Sequence, residues 1–284
     1  MLTNSIEVLK KANEENTCIA QFNINNLEWT KYILEQAEEL KKPVILGVSV
    51  GASKYMGGFY TIRKLVEGLI HDLNITVDVV LHLDHGKSFE VCKEAIDAGF
   101  TSVMIDASSY TLEENIKITK QVVEYAHSKN VSVEAEIGGI ITDGKADESI
   151  YAKTEDCAFF VEETKVDSLA PALGSVHGIY KGKPKINYER MQEIKKKVQI
   201  PLVLHGGTGL NNDIIMTCIR CGINKVNINT ELQLTFSKEV RSFLKKNKKI
   251  YDPRKIIGSA EAAMKKIIKE KIELFSSNQS HEEK

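Results

Sequence analysis

Four of the seven histidines fall in three short motifs, each following an apolar run. These are Leu81-His82-Leu83-Asp84-His85-Gly86, Gly174-Ser175-Val176-His177-Gly178 and Leu204-His205-Gly206-Gly207-Thr208-Gly209. Three neutral imidazoles from separate segments can hold a tetrahedral zinc and leave one position open for water or substrate, as a catalytic zinc requires. Spacing alone does not choose three of the four. In an extended segment His82 and Asp84 share a face and His85 begins the turn, so His82 reads as a supporting or packing residue. His71, His127 and His281 lie in helical or terminal stretches and read as surface residues.

Carboxylates end neighbouring runs: Asp84, Asp106 in Ile105-Asp106, and Glu136 in Glu134-Ala135-Glu136. Singly, each could be a structural hydrogen-bonded acid. Grouped beside a metal, they suggest a general acid/base and a second cation site. Two polar turns suit a phosphate. The glycines of HGGTGL sit between a strand and a helix opening at Asn211–Asp213, where backbone N–H groups can approach an anion at a helix N-terminus. A later run ends Asn227-Ile228-Asn229-Thr230, again with capping residues ahead of a helix. The pair Cys218-Ile219-Arg220-Cys221 has redox or half-zinc spacing, but no second pair accompanies it and it reads as part of an outer helix.

These residues need a scaffold that brings many chain segments to one rim. Short apolar runs alternate with longer amphipathic stretches. The strands expected are Cys18–Phe22, Val44–Val48, Val77–Leu83, Ser102–Ile105, Val131–Glu136, Ser168–Ala172, Leu202–His205 and Lys225–Ile228. Helical patterns between them include Leu27–Leu40, Phe89–Ala98, Leu112–Ser128, Tyr188–Lys197 and Asn212–Arg220. Eight such units within 284 residues fit a single parallel (β/α)₈ TIM barrel, a fold that takes about 250 residues. An open doubly wound sheet would place a glycine fingerprint after the first strand, where this chain has Asn23-Ile24-Asn25-Asn26. The barrel domain is expected over 1–275, with a C-terminal helical extension from Asp252, and a disordered polar tail over 276–284. Catalytic groups of such barrels project from the C-terminal strand ends, with phosphate held after strands 7 and 8. The histidine, carboxylate and glycine motifs above fall at that rim; the cysteine pair does not.

Composition narrows the partners. With 38 basic and 39 acidic residues the formal charge is −1, so no field favours nucleic acid or a membrane surface. No apolar run reaches the roughly 20 residues that span a bilayer. The N-terminus reads as an amphipathic helix without the apolar stretch of a signal peptide. Five scattered cysteines do not form a disulfide framework, and a cytoplasmic protein with reduced thiols is expected.

From about Leu2 to about Phe275 the sequence resembles the class II, metal-dependent ketose-bisphosphate aldolases, typified by fructose-1,6-bisphosphate aldolase. The stretches QFNINN, HLDHG, SVMID, VEAEIG, APALGSVHG, LVLHGGTG, NINTE and YDPRK carry the likeness, in this order. The resemblance implies that His85, His177 and His205 hold the catalytic zinc and that Asp84 is the acid/base at the aldehyde oxygen. It implies that Asp106 and Glu136 can hold a second, non-catalytic cation. Gly178, Gly206, Gly207, Thr208, Asn227, Ile228, Asn229 and Thr230 match positions that bind dihydroxyacetone phosphate, and Ser49 a contact to the other phosphate. Arg254 resembles an arginine reaching a neighbouring subunit's substrate, which implies a homodimer or homotetramer. The implied reaction is reversible aldol cleavage of a ketose bisphosphate, first of all fructose 1,6-bisphosphate, in carbohydrate metabolism.

Two stretches depart from the family pattern. After the fifth strand relatives carry a Gly-Gly-x-Glu-Asp loop whose glutamate abstracts the proton; here the segment is GGIITDGKADESIYAK, in which Glu148 is the first candidate, beside Asp143 and Asp147. Ser49-Val50-Gly51-Ala52 stands where relatives often carry Ser-Glu-Gly-Ala. Both lie near the aldehyde half of the site. They leave open tagatose 1,6-bisphosphate, the phosphorylated deoxy-keto acid of inositol breakdown, or a sugar-phosphate-binding homologue without turnover.

Overall fold

Eight parallel strands close on one another in chain order, so that the first bonds both the second and the last. They are β1 (Ile19–Asn23), β2 (Val44–Ser49), β3 (Val79–Gly86), β4 (Ser102–Ile105), β5 (Ser132–Ile137), β6 (Ser168–Pro171), β7 (Leu202–Leu204) and β8 (Ile223–Ile228). The computed structural model describes residues 1–138, 151–176, 178, 182 and 184–277. Each strand matches an expected apolar run, with ends shifted by up to three residues. The TIM barrel is the fold of the chain.

Helices wrap the barrel: α1 (Ser5–Glu14), α2 (Leu27–Leu40), α3 (Val50–Tyr55), α4 (Phe59–Asp72), α5 (Phe89–Asp97) and α6 (Leu112–His127), then α7 (Thr154–Thr164), α8 (Tyr188–Val198), α9 (Asn212–Arg220), α10 (Thr230–Lys246), α11 (Pro253–Gly258) and α12 (Glu261–Ser276). Their starts follow local side-chain chemistry. Asn26, Ser88, Thr111 and Asn211 each accept a backbone N–H of the first turn, and Thr111 completes a capping box with Glu114. One such cap contributes about 1 kcal/mol. Asn229 stands ahead of α10 but makes no side-chain cap bond, so the expected cap is absent there and its amide is available to the rim. The helical extension runs to Ser276; residues 278–284 lie outside the described residues.

Alternation along the strands sorts the side chains. Phe22, Leu46, Leu81, Leu83, Val103, Val133 and Leu169 turn outward into the layer beneath the helices. At the N-terminal end of the barrel, Ile19, Ile45 and Val80 turn inward and pack on Val8, Leu9 and Ala12 of α1, which plugs that end. The interior above this plug is polar: Gln21, His82, Glu134 and Lys225 are all nearly inaccessible to solvent. An apolar floor below a charged interior directs the chemistry to the opposite, C-terminal mouth.

Candidate active site

At the end of β3 the chain gains one residue on its neighbour. Leu83 pairs with Val103 but Gly86 pairs with Ile105, so three steps on β3 oppose two on β4. His85 takes up the difference with φ +55°. Strict alternation would turn His85 away from Asp84; the bulge lets both face the mouth. Gly86 follows because a Cβ there would stand 2.7 Å from the Met104 carbonyl oxygen.

His85 and His205 meet above the polar interior, their rings 4.8 Å apart between centroids. Glu136 lies beside both: its Oε2 is 3.9 Å from His85 Nδ1 and 3.3 Å from His205 Nδ1. Ligand atoms of these three residues all lie within 4.8 Å of one another. Glu136 Oε2 is buried and accepts no hydrogen bond among the described residues, the arrangement of a donor aimed at a common centre. Burial would push the His205 imidazole down, but the hydrogen bond to Glu134 and the adjoining Glu136 carboxylate raise it to about 9. The pocket therefore favours positive charge, and the imidazole and carboxylate donors suit zinc or a similar divalent ion. His177 lies outside the described residues, as does Glu148.

Both histidine donors are backed by a carboxylate. His85 Nδ1 bonds Asp106 Oδ2 at 2.9 Å, and Lys87 bonds the same oxygen. Ser108 donates to Asp106 Oδ1 from its hydroxyl at 2.7 Å and from its backbone N–H at 3.3 Å. Although burial opposes it, these bonds hold Asp106 well below the usual carboxylate range. His205 Nε2 bonds Glu134 Oε1 at 3.0 Å. His82 bonds the Ser102 hydroxyl at 2.8 Å, and burial together with the Lys225 charge pushes its imidazole down to about 3. His82 is thus a buried interior residue bonded to Ser102 and not one of the three clustered donors.

Asp84 receives three carboxamide N–H groups: Asn23 at 2.8 Å, Gln21 at 3.2 Å and Asn227 at 3.3 Å. Burial would raise its carboxyl, but the neighbouring His85, His205 and Lys225 and the Asn23 bond hold it down at about 2. Asp84 is an ionised carboxylate at neutral pH.

Beside these groups opens a cavity of about 200 Å³. It is lined by Asn23, Ser49, Asp84, His85, Gly178, Gly206, Thr208, Asn227, Asn229 and Thr230. Eight of these ten residues stand in the strand-end motifs read from sequence and Ser49 is added by the family resemblance; Asn23 is the further addition, and it lies in the QFNINN stretch that carries that resemblance. A Cβ on Gly206 would lie 2.1 Å from the Val176 carbonyl oxygen, so only glycine lets the loops after β6 and β7 approach this closely. Gly207 and Ile228 do not line the cavity; Ile228 packs in the outer core. Arg254 is 88% exposed and pairs with Asp252. Cys218 and Cys221 are buried free thiols in the core. Gln21, Glu134 and Lys225, which shape the electrostatics from below, are not among the residues singled out from sequence, because a polar residue inside a strand looks the same whether it faces a core or a site.

A family model described as fructose-bisphosphate aldolase class-II matches residues 3–280. The chain belongs to this family. A class II aldolase is a carbon–carbon lyase, and its metal dependence agrees with the His85, Glu136 and His205 donors. The family also implies a phosphorylated ketose as substrate. The fructose-bisphosphate aldolase of Staphylococcus aureus is 55% identical over 280 residues, 98% of each chain. That of Geobacillus stearothermophilus is 54% identical over 282 residues, again 98% of each chain. Among solved structures, the YdjI aldolase from Escherichia coli K12 superposes with a TM-score of 0.85 at 34% identity, covering 98% of this chain and 99% of that one. No helix among the described residues is long and apolar enough to cross a membrane.

Proposed function

We propose that this class II aldolase cleaves fructose 1,6-bisphosphate to dihydroxyacetone phosphate and glyceraldehyde 3-phosphate, with zinc held by His85, His177 and His205 and with Asp84 as acid/base. The convergence of His85, Glu136 and His205 within one 4.8 Å cluster, beside a carboxylate fixed by three amides, carries this reading. When bound, zinc supplies a Lewis acid that draws electron density toward the ketose carbonyl.

The protein's own groups supply the rest. Asp84, ionised and facing the cavity, takes the proton from the hydroxyl that becomes the aldehyde. As that O–H proton leaves, the adjacent carbon–carbon bond breaks and its electron pair passes to the ketone half. A carboxylic acid then protonates that carbon, and Glu148 is the first candidate. In synthesis the same groups act in the opposite sense.

Gly206, Thr208, Asn229 and Thr230 cluster where helices α9 and α10 begin, so backbone N–H groups and hydroxyls there can hold the phosphate of the ketone half. Gly178 joins them, while Gly207 and Ile228 would contribute through their backbone. Ser49, which lines the same cavity at the start of α3, suits the second phosphate. Asp106 and Glu136 are the donors offered for a second cation. The bonds Asp106 makes to His85, Lys87 and Ser108 favour an orienting role for it, with Glu136 as an added donor at the first metal.

The second copy enters through α10 and α11. Of 17 residues in α10 only Leu232 is buried, and Leu234, Leu244 and Tyr251 are exposed nearby. A homodimer or homotetramer that covers this face would carry Arg254 toward a neighbour's cavity. Five free cysteines support a reducing, cytoplasmic location.

Cleavage of a panel of ketose phosphates by the metal-loaded protein tests the assignment. Fructose 1,6-bisphosphate should be cleaved fastest. Faster cleavage of tagatose 1,6-bisphosphate would move the substrate, and metal binding without any turnover would make the protein a binding homologue.

A further inference from the structure

Gln21 is fully buried in the barrel interior, and its side chain reaches from β1 past β2 to Asp84 on β3, where Nε2 donates to Oδ1 at 3.2 Å. The β2 residue in its path is Gly47. A Cβ on Gly47 would stand 2.5 Å from Gln21 Nε2 and 2.8 Å from its Cδ. Gly47 has no positive φ to require glycine, and glycine within a strand weakens it. The passage of Gln21 is what this glycine provides.

Gln21 is itself a costly choice. Its Oε1 is buried and accepts no hydrogen bond among the described residues, whereas a leucine of similar size would leave no amide oxygen unsatisfied. The amide orientation is dictated by Asp84, because the reverse flip would set its oxygen against the carboxylate. Two locally unfavourable residues on adjacent strands thus meet at one contact, the bond to Asp84.

The other two donors to Asp84 differ in kind. Asn23 and Asn227 line the cavity and are within reach of a substrate. Gln21 lies two residues before Asn23 on the same inward face, one layer deeper, and does not line the cavity. It is the donor that stays with Asp84 when substrate engages the asparagines. We infer that Gln21, admitted by Gly47, is a positioning residue that holds the Asp84 carboxylate in its reactive orientation. This rests on the acid/base role proposed for Asp84.

The test measures kcat, KM, bound metal and thermal unfolding for Gln21→Leu, Gly47→Ala, the double variant and Asp84→Ala, all metal-loaded. Gly47→Ala is the gentler probe, since the atoms it displaces are the far end of a flexible side chain. Each single change should lower kcat about tenfold, the loss of one buried hydrogen bond, with KM and metal content unchanged. The double variant should fall no further than the worse single variant, because both remove the same contact. Unchanged kcat in either single variant, or multiplying effects in the double, overturns the proposal. If Gln21→Leu fails to fold or load metal, Gly47→Ala decides alone by the same kcat criterion. A near-normal rate in Asp84→Ala would instead remove the acid/base reading on which the inference stands.

Discussion

His205 and Glu134 share a hydrogen bond of 3.0 Å inside the barrel, and the other Glu134 oxygen meets Lys225 Nζ at 2.7 Å. All three side chains are at most 2% exposed. A carboxylate behind a metal-binding histidine fixes which ring nitrogen faces the ion. Burial alone would keep Glu134 protonated, but the Lys225 charge, the His205 hydrogen bond and the charges of His82 and His205 together hold Glu134 well below the usual carboxylate range.

Removing one member of such a buried pair costs about 3–5 kcal/mol because the other charge is left uncompensated. Lys225→Met should therefore lower stability by about that amount in denaturant unfolding. Adding Glu134→Gln should recover much of the stability, yet leave metal affinity about 10–100-fold weaker. A double variant that binds metal as tightly as the parent would show that Glu134 does not orient His205.

Asp84→Asn keeps the shape of the side chain but cannot take a proton. Turnover should fall by about 10²–10⁴-fold, while equilibrium dialysis finds the metal still bound. Near-normal turnover in this variant would contradict the role of Asp84.

The cysteines should be silent in the folded enzyme. Burial raises the thiols of Cys92, Cys157 and Cys218 to about 12. Unfolded thiols ionise near pH 9, so between about pH 9 and 12 the unfolded chain binds fewer protons than the folded one and stability falls as pH rises. At pH 8 an aromatic disulfide reagent should label the protein only after denaturant is added. Rapid labelling of several thiols in the native protein would contradict this burial.

The barrel is legible in the sequence because outward strand residues and amphipathic helices repeat with the periods of their elements. Strand ends are legible where chemistry breaks the apolar run, as at Asp84-His85 or His205-Gly206. The interior is harder to read. Glu134 and Glu136 look equivalent in the motif Glu134-Ala135-Glu136; the fold places one under His205 against Lys225 and the other at the cluster. The rim asparagine Asn229 shows the same limit: it has the composition of a helix cap, but its backbone (φ −135°, ψ −67°) makes no such bond. Gln21 and Gly47 are 26 positions apart, and only the pairing of β1 with β2 and of β2 with β3 reveals that one exists to let the other pass.

Metal removal and restoration tests the central claim most directly. Chelator-treated protein should lose fructose 1,6-bisphosphate cleavage, and stoichiometric zinc should restore it together with one bound ion per chain. His205→Ala should lose the ion and the activity together. Full cleavage by metal-free protein, or a His205→Ala variant that keeps both metal and rate, would contradict the zinc site at the barrel mouth.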